Sequence, residues 1–369
     1  MKTYQEICDQ ILSLRKEQLP FVIFKTPGTQ NIKLLWQSDI KLHLFDTERS
    51  SGFVMAPFSH SQAVYYIPDS QSMESVCDGH VLEITPEISS KALKKNTIFT
   101  NNTQSEAAIN HQKLISKAVA RIKSAEFEKV VLAREESVHT EIDLMHVFNK
   151  LLTRYDDAFC YWFYHPSIGN WQGATPELLM ELNSESIKTI ALAGTTQFDP
   201  LKDPDWTEKE RHEQQLVTKD IFERLGVLNL SPFKGDAYSV KAGNLCHLRT
   251  DIMASMTSDI QLKDLIEALH PSPAISGLPR KEASLFIQEN EGLDRQFYAG
   301  YLGMVTQEAS AKGKTDTKAA LYVNLRCMSL EGPQAKIYVG SGITIGSDPL
   351  KEWEETVHKT QTMKRVLVG

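Results

Sequence analysis

Cysteine is scarce in this 369-residue chain. The five present, Cys8, Cys77, Cys160, Cys246 and Cys327, are odd in number, scattered and free of C-x-x-C spacing. No disulfide framework can be read from them, and they are predicted to be reduced thiols filling the core of a cytosolic protein. A basic excess is also missing: 40 Lys and Arg face 47 Asp and Glu, a net charge of −7, with no cationic cluster. Nucleic acid is therefore excluded as a partner, and an anionic ligand would need a local positive site. No apolar run reaches membrane-spanning length. The opening stretch MKTYQEICDQILSLRKEQLPFVIF carries charges throughout, so neither a secretory leader nor a membrane partner is expected. Nor is there a Pro/Gly/Ser-rich linker, a charge block, a low-complexity tract or a repeat of fixed period. The expectation is a single domain spanning 1–369.

What is present is ordinary globular material, 41% hydrophobic and 24% charged, enough for a large core. Apolar or alternating β-rich runs predict strands near 21–24, 32–36, 53–58, 63–68, 129–135, 159–165, 177–182, 186–194, 297–305, 320–327 and 335–343. Helical periodicity predicts helices near 105–125, 142–155, 207–225, 261–269, 280–290 and 349–366, the third opened by a capping box from Thr207 to Glu210. Many strands follow one another without intervening helices. That pattern predicts an α+β fold of antiparallel sheets with helices packed outside and a cleft between the sheets.

Two acidic pairs carry the strongest chemical signal, Glu210 with Glu213 in TEKERHEQQL and Glu352 with Glu355 in PLKEWEETVHK. At i,i+3 each pair shares one helix face, and four carboxylates without paired His or Cys suit Mg²⁺ better than zinc or copper. Either pair alone also reads as a solvated helix face. Lys129 opens the apolar run KVVLARE, where partial desolvation would make it a general base; a charge protecting a sheet edge is the plainer alternative. Glu177, after a proline in GATPELLM, reads either as a poorly solvated proton donor or as a turn carboxylate. LAGTT and VGSGIT place small residues at strand ends, as an anion cradle or as bulges. Arg326 lies among apolar residues with strand alternation and needs a carboxylate from the protein or from a ligand. Lys359 follows Glu355 by four residues, the spacing of a simple helix ion pair. His247 flanks Arg249 in a strand-like run, where a lone histidine can equally be structural.

The segments EKVVLAR, GATPELL, IALAGT, EKERHEQQLV, HPSPAISGLP, GLDRQFYAGYLG, VNLRC, VGSGIT and PLKEWEETVHK, in this order from about residue 128 to 359, closely resemble the chorismate-utilising enzymes. That family includes isochorismate, salicylate, anthranilate and aminodeoxychorismate synthases. The resemblance implies one large α+β domain enclosing a Mg²⁺-dependent site, with 105–369 as the motif-bearing part and 1–104 as a variable part of the same fold. It implies Lys129 as the base that activates water and Glu177 as the acid that protonates the departing C4 hydroxyl. It further implies Mg²⁺ on Glu210, Glu213, Glu352 and Glu355. Substrate contacts are implied at Gly194, Thr195, His247, Ala274, Ile275, Arg326, Ser341, Gly342 and Lys359, with the backbone at Ser341 and Gly342 facing a carboxylate.

Three positions bear on which member the chain resembles. A lysine at 129 is similar to the water-adding members, and Ala193 stands where aminodeoxychorismate synthases carry a nucleophilic lysine. HPSPAISGLP looks more like isochorismate synthases than salicylate synthases. The resemblance thus implies an isomerase converting chorismate to isochorismate, supplying menaquinone or siderophore biosynthesis, with no glutaminase subunit and compatible with a monomer. Salicylate synthesis, with added pyruvate elimination, is the nearest alternative, and a noncatalytic chorismate- or Mg²⁺-binding protein is a third.

Overall fold

A computed structural model of the chain describes residues 2–76, 105–242, 245–257, 259–309 and 315–368. In chain order its elements begin α1 (Tyr4–Lys16), β1 (Phe21–Lys25), β2 (Asn31–Trp36), β3 (His43–Leu44), β4 (Gly52–Ala56), β5 (Tyr65–Pro68) and β6 (Ser72–Val76). There follow α2 (Glu106–Lys123), β7 (Lys129–His139), α3 (Leu144–Arg154), β8 (Phe159–His165), β9 (Gly169–Thr175), β10 (Leu178–Leu182), β11 (Ser186–Gln197) and α4 (Glu208–Val227). Next come β12 (Phe233–Lys234), β13 (Tyr238–Ala242), β14 (Leu245–Ser255), α5 (Leu262–Leu269), β15 (Gly277–Leu278) and α6 (Arg280–Asn290). The chain closes with β16 (Tyr301–Ala309), β17 (Thr315–Val323), β18 (Cys327–Glu331), β19 (Gln334–Ile343) and α7 (Pro349–Leu367).

The strands form two antiparallel sheets. One runs β15-β7-β19-β18-β9-β8-β1-β2-β6 and the other β12-β14-β11-β10-β17-β16-β4-β5-β3, with β13 also paired to β14. Residues 4–76 supply strands to both sheets, so the first part of the chain is built into the same layers as the rest. Strand periodicity explains the layering. On β1, Val22 and Phe24 join the core between the sheets, whereas Phe21 and Ile23 face the helices outside; on β8, Phe159, Tyr161 and Phe163 alternate with Cys160 and Trp162 in the same way. α1, α3 and the end of α7 cover that outer face, and α2 and α6 cover Val130 and Leu132 of β7. This is the predicted α+β arrangement. Cys8, Cys160, Cys246 and Cys327 are buried and form no disulfide among the described residues; Cys77 lies outside the described residues. Among the described residues no helix is long and apolar enough to cross a membrane.

Two predicted strands differ in a way that matters for the site. Residues 297–300 are a turn, and β16 starts only at Tyr301. β17 stops at Val323, so Arg326 sits in the break before β18 rather than in a strand, at φ 49°. Asn324 holds both irregular segments, accepting from the Tyr161 hydroxyl at 2.7 Å and donating to the Phe297 carbonyl at 2.9 Å. A buried side-chain amide thereby replaces the ladder bonds that these residues forgo.

Candidate active site

One cavity between the sheets collects most of the residues singled out above. Glu177, Gly194, Thr195, Glu213, His247, Ala274, Ile275, Arg326, Gly342, Glu355 and Lys359 all line it. Lys129 lies just behind this wall. It is fully buried in the interior of its sheet, between β15 and β19, which removes the edge-protecting alternative. Its Nζ lies 2.8 Å from Glu213 Oε1 in an ion pair whose angle is poor for a hydrogen bond. Gly342 is required here, because a Cβ at that position would run into the Glu213 carboxylate and the Lys129 stem.

In the acid half of the cavity burial keeps the titratable groups Glu177 and His247 neutral. Glu177 is 6% exposed, just ahead of β10, and burial pushes its carboxyl up to about 7 against the pull of Lys129, Lys359 and Arg326. His247 on β14 faces a register shift in β11 between Ala193 and Thr196, where Gly194 takes φ +75° and turns its carbonyl to the imidazole. That carbonyl lies 2.9 Å from His247 Nδ1, and Arg326 Nη2 lies 3.1 Å from His247 Nε2. Because a guanidinium can only donate, Nε2 must accept and the proton must sit on Nδ1. Burial, Arg326 and Lys359 push the histidine down to about 3, so it stays neutral and serves as a fixed acceptor for Arg326. Arg326 also donates to Thr362 Oγ1 at 3.2 Å, and among the described residues it has no carboxylate within ion-pair distance. A buried guanidinium held by a histidine and a hydroxyl is set up to receive an anion.

The carboxylate half is organised by lysines. Burial alone would raise Glu213, but Lys129, with Lys209 and Lys359 behind it, holds it below its ordinary value. Glu352 is buried beneath Lys209, which pairs with its Oε1 at 2.5 Å; among the described residues its Oε2 has no hydrogen-bond partner of good geometry. Burial and the neighbouring Glu355 raise Glu352. Burial works against the Lys209 ammonium, but Glu352, Glu355 and Glu213 outweigh it and raise its pKa. Lys359 pairs with Glu355 at 2.7 Å and also donates to the Gly340 carbonyl at 2.9 Å, so it is more than a helix-surface partner.

The four glutamates thus do not stand as a ready cage. Among the described residues no three acidic, histidine or cysteine side chains come together as a metal-ligand group. Glu210 is occupied in the capping box with Thr207, and only Glu213 and Glu355 reach the cavity. Their chemistry nevertheless fits a hard cation. The donors are all oxygen, among the described residues one buried carboxylate oxygen of Glu352 lacks a hydrogen-bond partner of good geometry, and the fields of Glu352, Glu355 and Glu213 converge on the Lys209 ammonium, so this place already draws positive charge. Ser341 is buried but does not line the cavity, because alternation along β19 turns Gly340 and Gly342 toward it and the Ser341 side chain away. Only its backbone can serve the anion role expected of it.

Tyr298 lines the same cavity from the turn before β16 and escaped the sequence reading, which placed it in a strand. Beneath the Ile275 side, Arg295 pairs with Glu291 at 2.6 Å and donates to the carbonyls of Ile275 and Val131, while Glu291 accepts from the Ala133 amide. This buried network ties the Ala274–Ile275 turn to β7, the strand that carries Lys129.

A family model described as chorismate binding enzyme matches residues 64–368. The chain belongs to the chorismate binding enzyme family. It is 30% identical to isochorismate synthase EntC of Escherichia coli over 271 residues, which are 69% of this chain and 66% of that protein. The matched stretch therefore spans slightly less than two thirds of that relative. The fold superposes on a putative 2,3-dihydroxybenzoate-specific isochorismate synthase, DhbC, from Bacillus anthracis with TM-score 0.74 at 20% identity, covering 95% and 96% of the two chains. It also superposes on anthranilate synthase component I from Streptococcus pneumoniae with TM-score 0.62 at 18% identity, covering 94% and 92%. The fold is common to members with different chemistry, so the reaction has to be argued from the site.

Proposed function

We propose that this chorismate binding enzyme converts chorismate to isochorismate, adding water at C2 as the C4 hydroxyl departs. The observation that carries the reading is Glu177, a buried carboxyl held near neutrality in the same cavity as an anion-seeking Arg326 and close to a fully buried Lys129. Hydroxide is a poor leaving group, so C4–O cleavage needs a proton from an acid that remains protonated at working pH, the role for which Glu177 is set. Lys129 is the base for the attacking water; because it is paired as an ammonium with Glu213, it must first give up a proton before its amine can take one from water. The ring double bonds shift as the C2–O bond forms and the C4–O bond breaks, and the proton balance closes with one proton gained and one given.

Arg326, backed by neutral His247, receives the enolpyruvyl carboxylate, with Lys359 and the backbone at Ser341 and Gly342 completing that end. Gly194, Thr195, Ala274 and Ile275 form the ring walls. Glu213 and Glu355 would hold Mg²⁺, with Glu352 and Glu210, which stand outside the cavity, joining through water; such an ion would supply charge neutralisation and orientation for the ring carboxylate. The relative named EntC supports water as the nucleophile, and Ala193 offers no lysine nucleophile. The deciding experiment is incubation with chorismate and Mg²⁺, with and without ammonium, followed by chromatography. Isochorismate without pyruvate, independent of ammonium, is expected. Salicylate with pyruvate, anthranilate, or no conversion would each overturn the assignment.

A further inference from the structure

Arg326 faces two cavities, not one. Besides the cavity between the sheets, its guanidinium lines a second space of about 300 Å³ bounded by the α3–β8 connection, β13 and the end of α7. That volume lies at the lower end of the range of small-ligand cavities, about 300–1,000 Å³. Pro176, the residue before the proposed acid, is shared by both, and a third space of about 420 Å³ continues outward past Asp157 and Lys241.

The second space is basic in a chain of net charge −7. Arg154, Lys241 and Arg365 line it and are exposed. Two carboxylates share the lining, Asp156 and Asp157, against the four cations Arg154, Lys241, Arg326 and Arg365, and Asp156 is already tied to Lys25 at 2.9 Å, so the lining keeps a positive excess. Tyr155 reports the convergence. Burial raises its phenol, and Arg365, Arg154 and Arg326 all pull against that, so three guanidinium charges surround one hydroxyl. Exposed charges of this kind add little to equilibrium affinity, but they raise the local concentration of an oppositely charged ligand and its rate of capture.

We propose that this second cavity is a cationic antechamber, through which a small dicarboxylate is captured by Arg154, Lys241 and Arg365 and passed to Arg326. This rests on the reading of chorismate as the substrate. The shared guanidinium gives the hand-over a physical basis, because Arg326 and Pro176 form the partition between the two spaces and the one cation in that partition faces both.

The test is a triple variant, Arg154→Gln, Lys241→Gln and Arg365→Gln, made in a Lys129→Ala background that cannot turn over. Association of chorismate is followed by stopped-flow quenching of tryptophan fluorescence across a salt series. The association rate constant is expected to fall about tenfold at low ionic strength, the lower end of electrostatic steering. The two proteins should converge near 0.5 M salt, where the screening length is only roughly 4 Å. A control with Lys219→Gln and Lys263→Gln, which remove exposed lysines of α4 and α5, should behave as the parent. Equal association rates for the triple variant and the parent at low salt would overturn the proposal, as would an equal loss in the control. If the Lys129-containing protein makes no isochorismate while the triple variant still slows chorismate capture, the proposed reaction falls and the antechamber stands. If chorismate does not bind, both fall.

Discussion

Glu177 and Glu213 are two largely buried carboxyls of one cavity, yet their environments drive them in opposite directions. Glu177 has its positive neighbours at a distance, and desolvation wins, raising it to about 7. Glu213 has the Lys129 ammonium at 2.8 Å, and the charge contact wins over the same desolvation. The cavity thus has a half that keeps protons by excluding water and a half that keeps charge by pairing it. Acid chemistry belongs to the first and cation chemistry to the second, because a buried carboxyl is neutral unless a partner stabilises its charge.

The largest expected effect breaks the line between the halves. Lys129→Ala should lower turnover by roughly 10³-fold, in the range for losing a positioned acid or base, and Glu177→Gln should do the same. Chorismate binding, measured by calorimetry, should persist in both. A loss of binding in step with turnover would place these residues in substrate holding instead.

The contrast also has a signature in stability. Glu177 is raised from 4.5 to about 7 in the folded chain. The folded state therefore holds a proton that the unfolded state has released between those values. The stabilisation from neutral Glu177 is full below pH 4.5 and is lost as pH rises through 7, a change on the order of 3 kcal/mol. Glu177→Gln should remove this dependence, so that its Tm exceeds the parent's above pH 7 and the difference closes toward pH 4.5. Turnover of the parent should fall on the alkaline side as the acid loses its proton. Parallel Tm–pH curves for the two proteins would mean that Glu177 is not the protonated group.

In the paired half, Lys209→Met keeps the aliphatic stem and removes the ammonium that serves three carboxylates. Glu352, with its side chain 2% exposed, then loses its counter-charge. Urea denaturation should show a loss of about 2–3 kcal/mol without metal, somewhat below the penalty for stranding a fully buried charge because Lys209 is partly exposed. Millimolar Mg²⁺ should raise the variant's Tm more than the parent's. An equal response would put the cation elsewhere.

Much of this was legible from sequence because it is local. The helix bearing Glu210 and Glu213 begins where Thr207 and Glu210 announce a capping box, and β7 begins at Lys129 as its apolar run requires. α1 was legible but unread: Thr3 and Glu6 form a capping box, and Ile7, Ile11 and Leu14 repeat at helical spacing. The turns at 297–300 and 324–326 are not legible, since apolar alternation runs straight through them and what pins them is tertiary: the backbone bonds between 299–300 and Asn324 and the side-chain bonds of Asn324 to Tyr161 and Phe297. Lys209 gave no signal of any kind. Its role depends on α4 and α7 meeting end to end, a tertiary fact that no spacing within either helix contains.

Ser341 gives the smallest effect and the finest test of the geometry. VGSGIT places small residues at a strand end, but of Ser341 and its two neighbours only Gly340 and Gly342 line the cavity, as strand alternation requires. The Ser341 hydroxyl is instead buried without a hydrogen-bond partner among the described residues. Ser341→Ala removes a buried polar atom that gains nothing from its position, so stability should stay level or rise by up to about 1 kcal/mol, and kcat and KM should stay within twofold of the parent. A tenfold rise in KM would mean that the side chain, not the backbone, holds the carboxylate, and that β19 is turned over by one residue relative to the arrangement described. Because a slip of one residue inverts every side chain of a strand, that result would also move Gly342 away from Glu213 and undo the pairing that separates the two halves of the cavity.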